Sequence, residues 1–162
     1  MLIGSYRTAA VARCLQTGRM NIRTFEPEDE PAVLALWRDC DLTRPWNDPR
    51  KDILRKVALS DDLFLVGVDD GELIATAMAG YEGHRGWVNY LAVDPRCRLR
   101  GLARGLMEEA ERRLRALGCP KINLQIRSSN RDAVVFYERL GYGIDDVISM
   151  GKRIEHDSET ET

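Results

Sequence analysis

The stretch Val93-Asp94-Pro95-Arg96-Cys97-Arg98-Leu99-Arg100-Gly101-Leu102-Ala103-Arg104-Gly105 constrains the fold more than any other part of the chain. The apolar run Tyr90-Leu91-Ala92-Val93 leads into it, and a long helical pattern leads out. Between them stand a turn proline, four arginines and two glycines. The order reads as strand, arginine-rich loop and helix start. A helix start carries unpaired N–H groups and a partial positive charge, so it suits an anion, phosphate above all. Gly101 has no Cβ and would let a ligand approach the backbone closely. The arginines add charge-assisted hydrogen bonds. The plain alternative is an ordinary strand-to-helix loop with solvated arginines. The chain has no G-x-x-x-x-G-K-[ST] loop and no G-x-G-x-x-G at this turn, which excludes two common phosphate-binding designs.

The flanking elements follow from periodicity. Residues 1–19 carry arginine but no Asp or Glu and read as an extension, so the fold is expected to begin at Met20, with Asn21–Phe25 as a first strand. Pro27, Glu28 and Asp29 supply helix-entry chemistry. Val33, Leu36, Trp37 and Cys40 then recur at helical spacing. Two prolines, Pro45 and Pro49, break that helix, and a short one is predicted over Arg50–Ser60. Leu63–Val68 reads as a buried strand, Asp70-Gly71 as a hairpin turn, and Leu73–Tyr81 as the return strand. Gly83–Gly86 makes a second turn before the strand Trp87–Val93.

The central helix is predicted over Gly101–Leu117. Its apolar stripe is Leu102, Leu106, Ala110, Leu114 and Leu117, and Glu108/Arg112, Glu109/Arg113 and Glu111/Arg115 are i,i+4 pairs. Lys121–Arg127 alternates as a half-buried strand, and strand–helix–strand order implies a right-handed crossover to a parallel neighbour. Asn130 is placed to cap a short helix with Ala133, Phe136, Tyr137 and Leu140 on one face. Tyr142–Met150 is expected to supply a final strand or two, and residues 153–162 an acidic, loose tail.

Bulk properties narrow the class. The chain has 162 residues, enough for one domain with a real core, 44% of them hydrophobic and 31% charged. A net charge of -2 argues against an electrostatic nucleic-acid binder. Uncharged stretches are too short to cross a bilayer. Cys14, Cys40, Cys97 and Cys119 are scattered without a C-x-x-C pair and read as reduced cytosolic thiols, not a zinc site.

Two motifs carry a resemblance. Arg98-x-x-Gly101-x-Ala103 resembles the Q/R-x-x-G-x-G/A signature of the GNAT N-acetyltransferases, whose loop grips the pyrophosphate of coenzyme A. Leu99 departs from the pattern, since members often have glycine there. Asn130-x-x-Ala133-x-x-Phe136-Tyr137-Glu138-x-x-Gly141-Tyr142 resembles the family's N-x-x-A-x-x-x-Y…G-F/Y pattern. Asp41–Asn47 also looks like a bacterial subgroup of small acetyltransferases, the YpeA-like ones. The resemblance covers nearly everything after Met20.

It implies an α/β (α+β) fold with a mixed, twisted, mainly antiparallel sheet, a central parallel pair and about four flanking helices. It also implies direct transfer of an acetyl group from acetyl-CoA, as co-substrate, to a primary amine in a ternary complex. The cofactor-binding residues so implied are Arg98, Leu99, Arg100, Gly101, Leu102, Ala103 and Arg104 on the pyrophosphate, with Asn130, Ala133 and Tyr137 on the second motif. The backbone of Leu91, Ala92 and Val93 would hold pantetheine and polarise the thioester, an oxyanion-type stabilisation. Tyr137 matches the position that protonates the departing thiolate, and is otherwise a packed aromatic.

Many members have a glutamate on the fourth strand, where this chain has Asn89 and Tyr90. Glu82 and His84 are the nearest candidates for a base, beside a water chain to solvent. The loop between the first two helices either borders the acceptor cleft or is plain surface. The rivals are a non-catalytic acyl-CoA sensor of the same fold and RNA binding through Arg96, Arg98, Arg100 and Arg104. No metal, membrane or nucleic-acid partner is expected. The expected location is cytoplasmic, and a homodimer stays open.

Overall fold

In a computed structural model, residues 20–157 are described, and the extension expected over 1–19 and residues 158–162 lie outside them. The strands are β1 (Asn21–Thr24), β2 (Phe64–Asp69), β3 (Glu72–Tyr81), β4 (Gly86–Val93) and β5 (Ile122–Asn123). The helices are α1 (Glu30–Asp39), α2 (Pro49–Val57), α3 (Leu102–Ala116) and α4 (Arg131–Arg139). The sheet runs β1-β2-β3-β4-β5, with three antiparallel pairings and one parallel pairing, β4 with β5.

Helices cover both faces of this sheet, which explains the nearly unbroken apolar runs of β2 and β3. On one face Leu65, Ala75, Ala77 and Ala79 meet Leu106, Met107, Ala110 and Leu114 of α3. The three alanines keep that face flat, so a helix can lie close against it. On the other face Phe64, Val66 and Met78 meet Val33, Leu36 and Trp37 of α1 and Ile53 of α2. The β2–β3 hairpin turns on Asp70 and Gly71, with φ of 47° and 80°, as a two-residue turn with both φ positive requires. Ahead of α1, the Arg23 guanidinium grips the Asp29 carboxylate at 2.6 and 2.8 Å and holds it below the usual carboxylate range.

Several expectations need correction. Leu117 is 53% exposed and leaves the α3 stripe. On the polar face, Glu109 accepts from both Arg112 and Arg113 at 2.7 and 2.8 Å, while Glu111 accepts from the Tyr142 hydroxyl at 2.9 Å. Of the i,i+4 pairs expected there, Glu109/Arg113 forms, whereas Arg112 and Glu111 take other partners. The strand expected over Lys121–Arg127 shrinks to Ile122–Asn123. Among the described residues no strand forms over Tyr142–Met150, where Ile144, Val147, Ile148 and Met150 stand exposed. Alternation gives a segment the character of a strand, but a ladder also needs a partner. The parallel pair therefore sits at one edge of the sheet.

Within the expected tail, Arg153 and Asp157 have partners in the fold. Asp157 accepts from Arg55 at 2.7 Å and from the Asp48 N–H at 3.0 Å, and Arg153 donates to the Trp46 carbonyl at 2.9 Å. Cys97 is buried and disulfide-bonded, so the reduced-thiol reading holds only for Cys40 and Cys119 among the described cysteines.

Candidate active site

The site is built around an irregularity in β4. Thr76 pairs with Ala92 and Met78 with Asn89, so Tyr90 and Leu91 together oppose the single residue Ala77. This is a β-bulge. Tyr90 takes a left-handed backbone with φ of 50°. Such a conformation costs a bulky residue about 1–3 kcal/mol and persists only where its surroundings hold it.

Here three contacts hold it. The Trp37 indole stacks on the Tyr90 ring at 3.9 Å and 14°. The Thr76 hydroxyl donates to the Tyr90 carbonyl at 2.9 Å and accepts from Trp37 Nε1 at 2.9 Å. The Tyr90 hydroxyl donates to Asp52 Oδ2 at 2.7 Å. Burial, and then the Asp52 carboxylate, raise the Tyr90 phenol and keep it protonated. Trp37 and Thr76 are both fully buried.

Beside the bulge the sheet opens. β4 and β5 pair only at Gly86↔Ile122 and Trp87↔Asn123. Gly86 permits even this much contact, because a Cβ there would lie 2.8 Å from Cys119 Sγ and 3.3 Å from Ile122 Cγ1. Beyond Trp87 the two strands part, which leaves a wedge along Val88–Val93.

The arginine loop closes the far end of that wedge. Asp94 accepts from the Arg96 N–H at 2.8 Å and from its guanidinium at 3.0 and 3.1 Å, which holds the carboxyl below its usual range. Arg96 is thus spent on the turn. Arg98 donates to the Val93 carbonyl at 3.4 Å and reaches Cys40 Sγ at 3.8 Å. Cys40 donates to the same carbonyl at 3.3 Å, and burial pushes its thiol up, so it is no thiolate nucleophile. Leu99 has φ of 62° and a wholly exposed side chain. Gly101 caps α3 with φ of 79° and no side-chain cap, and the first turn of α3 carries no acid. Arg104 lies 3.9 Å from Glu108. Leu102 packs with Ile74 and Cys97 and anchors the start of α3.

Asn130 caps α4 as its sequence suggests, Oδ1 accepting from the Ala133 N–H at 3.1 Å. Tyr137 packs edge-on against Phe136 and Tyr142, and burial pushes its phenol up to about 12. It lines a cleft of about 920 Å³ together with Trp87, Glu111, Ile122, Ile126 and Tyr142. Leu91, Val93 and Tyr137 pack against one core cluster, whereas Arg98–Arg104 lie outside the Tyr137 cleft.

Glu82 and His84 lie in the turn between β3 and β4. The Glu82 carboxylate accepts from the backbone N–H groups of His84 at 2.9 Å and Arg85 at 2.7 Å, so it closes the β3–β4 turn. That turn adjoins Gly86, about 17 Å along the strand from Leu91. Sequence reasoning gave Trp37 only a place on an apolar helix face and passed over Thr76 and Asp52. The available signal was a lone threonine in the apolar run Ile74–Ala79. Among the described residues no three or more His, Cys, Asp or Glu side chains come together in a group that could hold a metal, and no helix is long and apolar enough to cross a membrane.

Both the sequence and the fold have known counterparts. The profile of the Acetyltransferase (GNAT) family matches residues 30–142. An acetyltransferase of Pectobacterium atrosepticum is 48% identical over 140 residues, covering 86% of this chain and 99% of its own. Among solved structures, glucosamine-6-phosphate N-acetyltransferase from Arabidopsis thaliana superposes with a TM-score of 0.63 at 23% identity, over 85% of this chain and 99% of that one. The PaiA N-acetyltransferase from Thermoplasma acidophilum, in complex with coenzyme A, gives 0.70 at 18% identity, over 80% and 93%.

Proposed function

The chain belongs to the GNAT acetyltransferase family, and from that premise we propose that it transfers an acetyl group from acetyl-CoA to a primary amine by direct attack within a ternary complex. One observation carries the reading. The Tyr90 bulge, the β4–β5 wedge and the glycine-headed N-terminus of α3 follow one another along a single stretch of chain.

The donor set suits a pyrophosphate. The first turn of α3 offers N–H groups uncapped by any side chain, and Arg98 is anchored at the strand end by the Val93 carbonyl. In this proposal Arg98, Leu99, Arg100, Gly101, Leu102, Ala103 and Arg104 form the pyrophosphate cradle. Leu91, Ala92 and Val93 present backbone groups to pantetheine and to the thioester carbonyl. Asn130 and Ala133 start the helix that carries Tyr137. The thioester supplies the activated acetyl group.

Tyr137 keeps its proton through the neutral range, because its phenol titrates at about 12, and so serves as the hydrogen-bond donor to the leaving sulfur. Glu82 and His84 are given no role in this scheme, because the Glu82 carboxylate is already engaged by the N–H groups of its own turn. The amine's proton leaves to water. The reading takes the protein as cytoplasmic and free of metal.

Calorimetry of acetyl-CoA binding tests it, on the wild type and on an Arg98→Ala/Gly101→Glu variant. Binding that the variant loses supports the cradle. Absence of binding by the wild type overturns it. A screen of amines by free-thiol release then tests transfer. One feature favours the second reading, an acyl-CoA sensor: β4 carries Asn89 and Tyr90 where many members of the family have a glutamate. Binding without thiol release across the amine classes would select that reading.

A further inference from the structure

We propose that Thr76 is a positioning residue that aims the Leu91 N–H into the wedge between β4 and β5; this rests on the acetyl-CoA reading above. An indole N–H can only donate, so Thr76 Oγ1 must accept from Trp37 at 2.9 Å. Its own proton is then left for the Tyr90 carbonyl, which can only accept, also at 2.9 Å. The order Trp37 to Thr76 to Tyr90 therefore runs in one direction only.

The Tyr90–Leu91 peptide is trans, so the Leu91 N–H points opposite to the Tyr90 C=O. The carbonyl faces Thr76 on β3, and the N–H accordingly faces away from β3, toward the side where β5 has diverged. A regular ladder would set this peptide plane by its own hydrogen bonds. At the bulge two residues share one partner, Ala77, and regular pairing cannot fix both. The threonine hydroxyl, buried at 0% exposure between two elements, supplies the missing constraint.

A donor aimed at the thioester carbonyl leaves a spectroscopic signature that a packing role does not. The test is isotope-edited infrared of acetyl-CoA labelled with ¹³C at the carbonyl and bound to the protein. The variants are Thr76→Val, which keeps the shape and removes the hydroxyl, and Thr76→Ser, which keeps the hydroxyl.

The wild type is expected to shift the carbonyl band below its frequency in water. Thr76→Val returns the band toward that value, with the Kd for free coenzyme A within about twofold, and Thr76→Ser restores the shift. With an acceptor found by the amine screen, kcat of Thr76→Val falls by roughly 10- to 100-fold at little change in KM. A Thr76→Val protein that binds acetyl-CoA and keeps the full band shift overturns the proposal.

If that variant does not fold, Trp37→Phe carries the test. It leaves the hydroxyl without its donor and free to turn, so the band moves part of the way back. An unmoved band there also overturns the proposal. A wild type that does not bind acetyl-CoA fails earlier and differently, overturning the parent reading and this one together.

Discussion

Leu99 pays for its place in the arginine loop. Its φ of 62° is one that L-residues disfavour by about 1–2 kcal/mol, and its exposed side chain gains no burial in return. Leu99→Gly relieves that strain against an unfolded-state entropy cost of about 0.4–1 kcal/mol. The net expectation is stabilisation by about 0.5–1 kcal/mol, read as a higher denaturant midpoint at unchanged slope. Tyr137 is the opposite case, a residue whose packing looks ordinary and whose proposed role is chemical. Tyr137→Phe keeps the ring against Phe136 and Tyr142, so acetyl-CoA affinity is expected to hold while kcat drops roughly 100-fold. Equal turnover of the two proteins would remove Tyr137 from the mechanism.

Among the elements, β4 does most to shape the site, through a bend in the middle and a loose edge at one side. Gly86 regulates the edge. Gly86→Ala would press a methyl against Cys119 and Ile122, and it is expected to cost about 1–3 kcal/mol and weaken ligand binding by spreading β5. Thermal unfolding with and without acetyl-CoA checks both effects. The strand itself, its loop and the following helix were legible in the sequence, because each has a local signature: an apolar run, Pro95 with four arginines, and a helical stripe led by Gly101. The bulge was not. Val88–Val93 reads as one uninterrupted strand, and what bends it comes from Trp37 and Thr76, which lie 39 residues apart and meet only in the folded protein. Asp52 was hidden for the same reason, since its bond to Tyr90 spans 38 residues. Conversely, the alternation of Lys121–Arg127 promised more strand than forms, because propensity is local and pairing is not.

Across the whole molecule, the polar face of α3 is one of the places where the fold responds to acid. The Arg112 hydrogen bond, with Arg113 beside it, lowers the Glu109 carboxyl to about 2 from an ordinary 4.5. A carboxylate depressed on folding contributes stability that is fully present above its unfolded pKa and is lost as pH falls toward its folded one. The window here runs from about 4.5 down to about 2. Glu109→Gln is therefore expected to lower Tm at pH 7 and to converge with the wild type as the pH approaches 2. A Tm difference that stays constant with pH would show that the pair contributes nothing to acid sensitivity. At the other end of the chain, Asp157 and Arg153 join the C-terminal segment to α2 and the loop before it, so the last described residues help order the wall next to Tyr90.

The wedge has a further consequence. Between Val88 and Val93, β4 offers main-chain donors and acceptors with no described strand on that side, and the segment has neither proline nor charge to guard it. Such a rim is a template for adding any extended chain, including one from a neighbouring molecule. Whatever seats itself in the gap therefore also acts as a stopper. Preparations stripped of that occupant should drift toward sticky multimers, and resupplying it should keep the molecules apart.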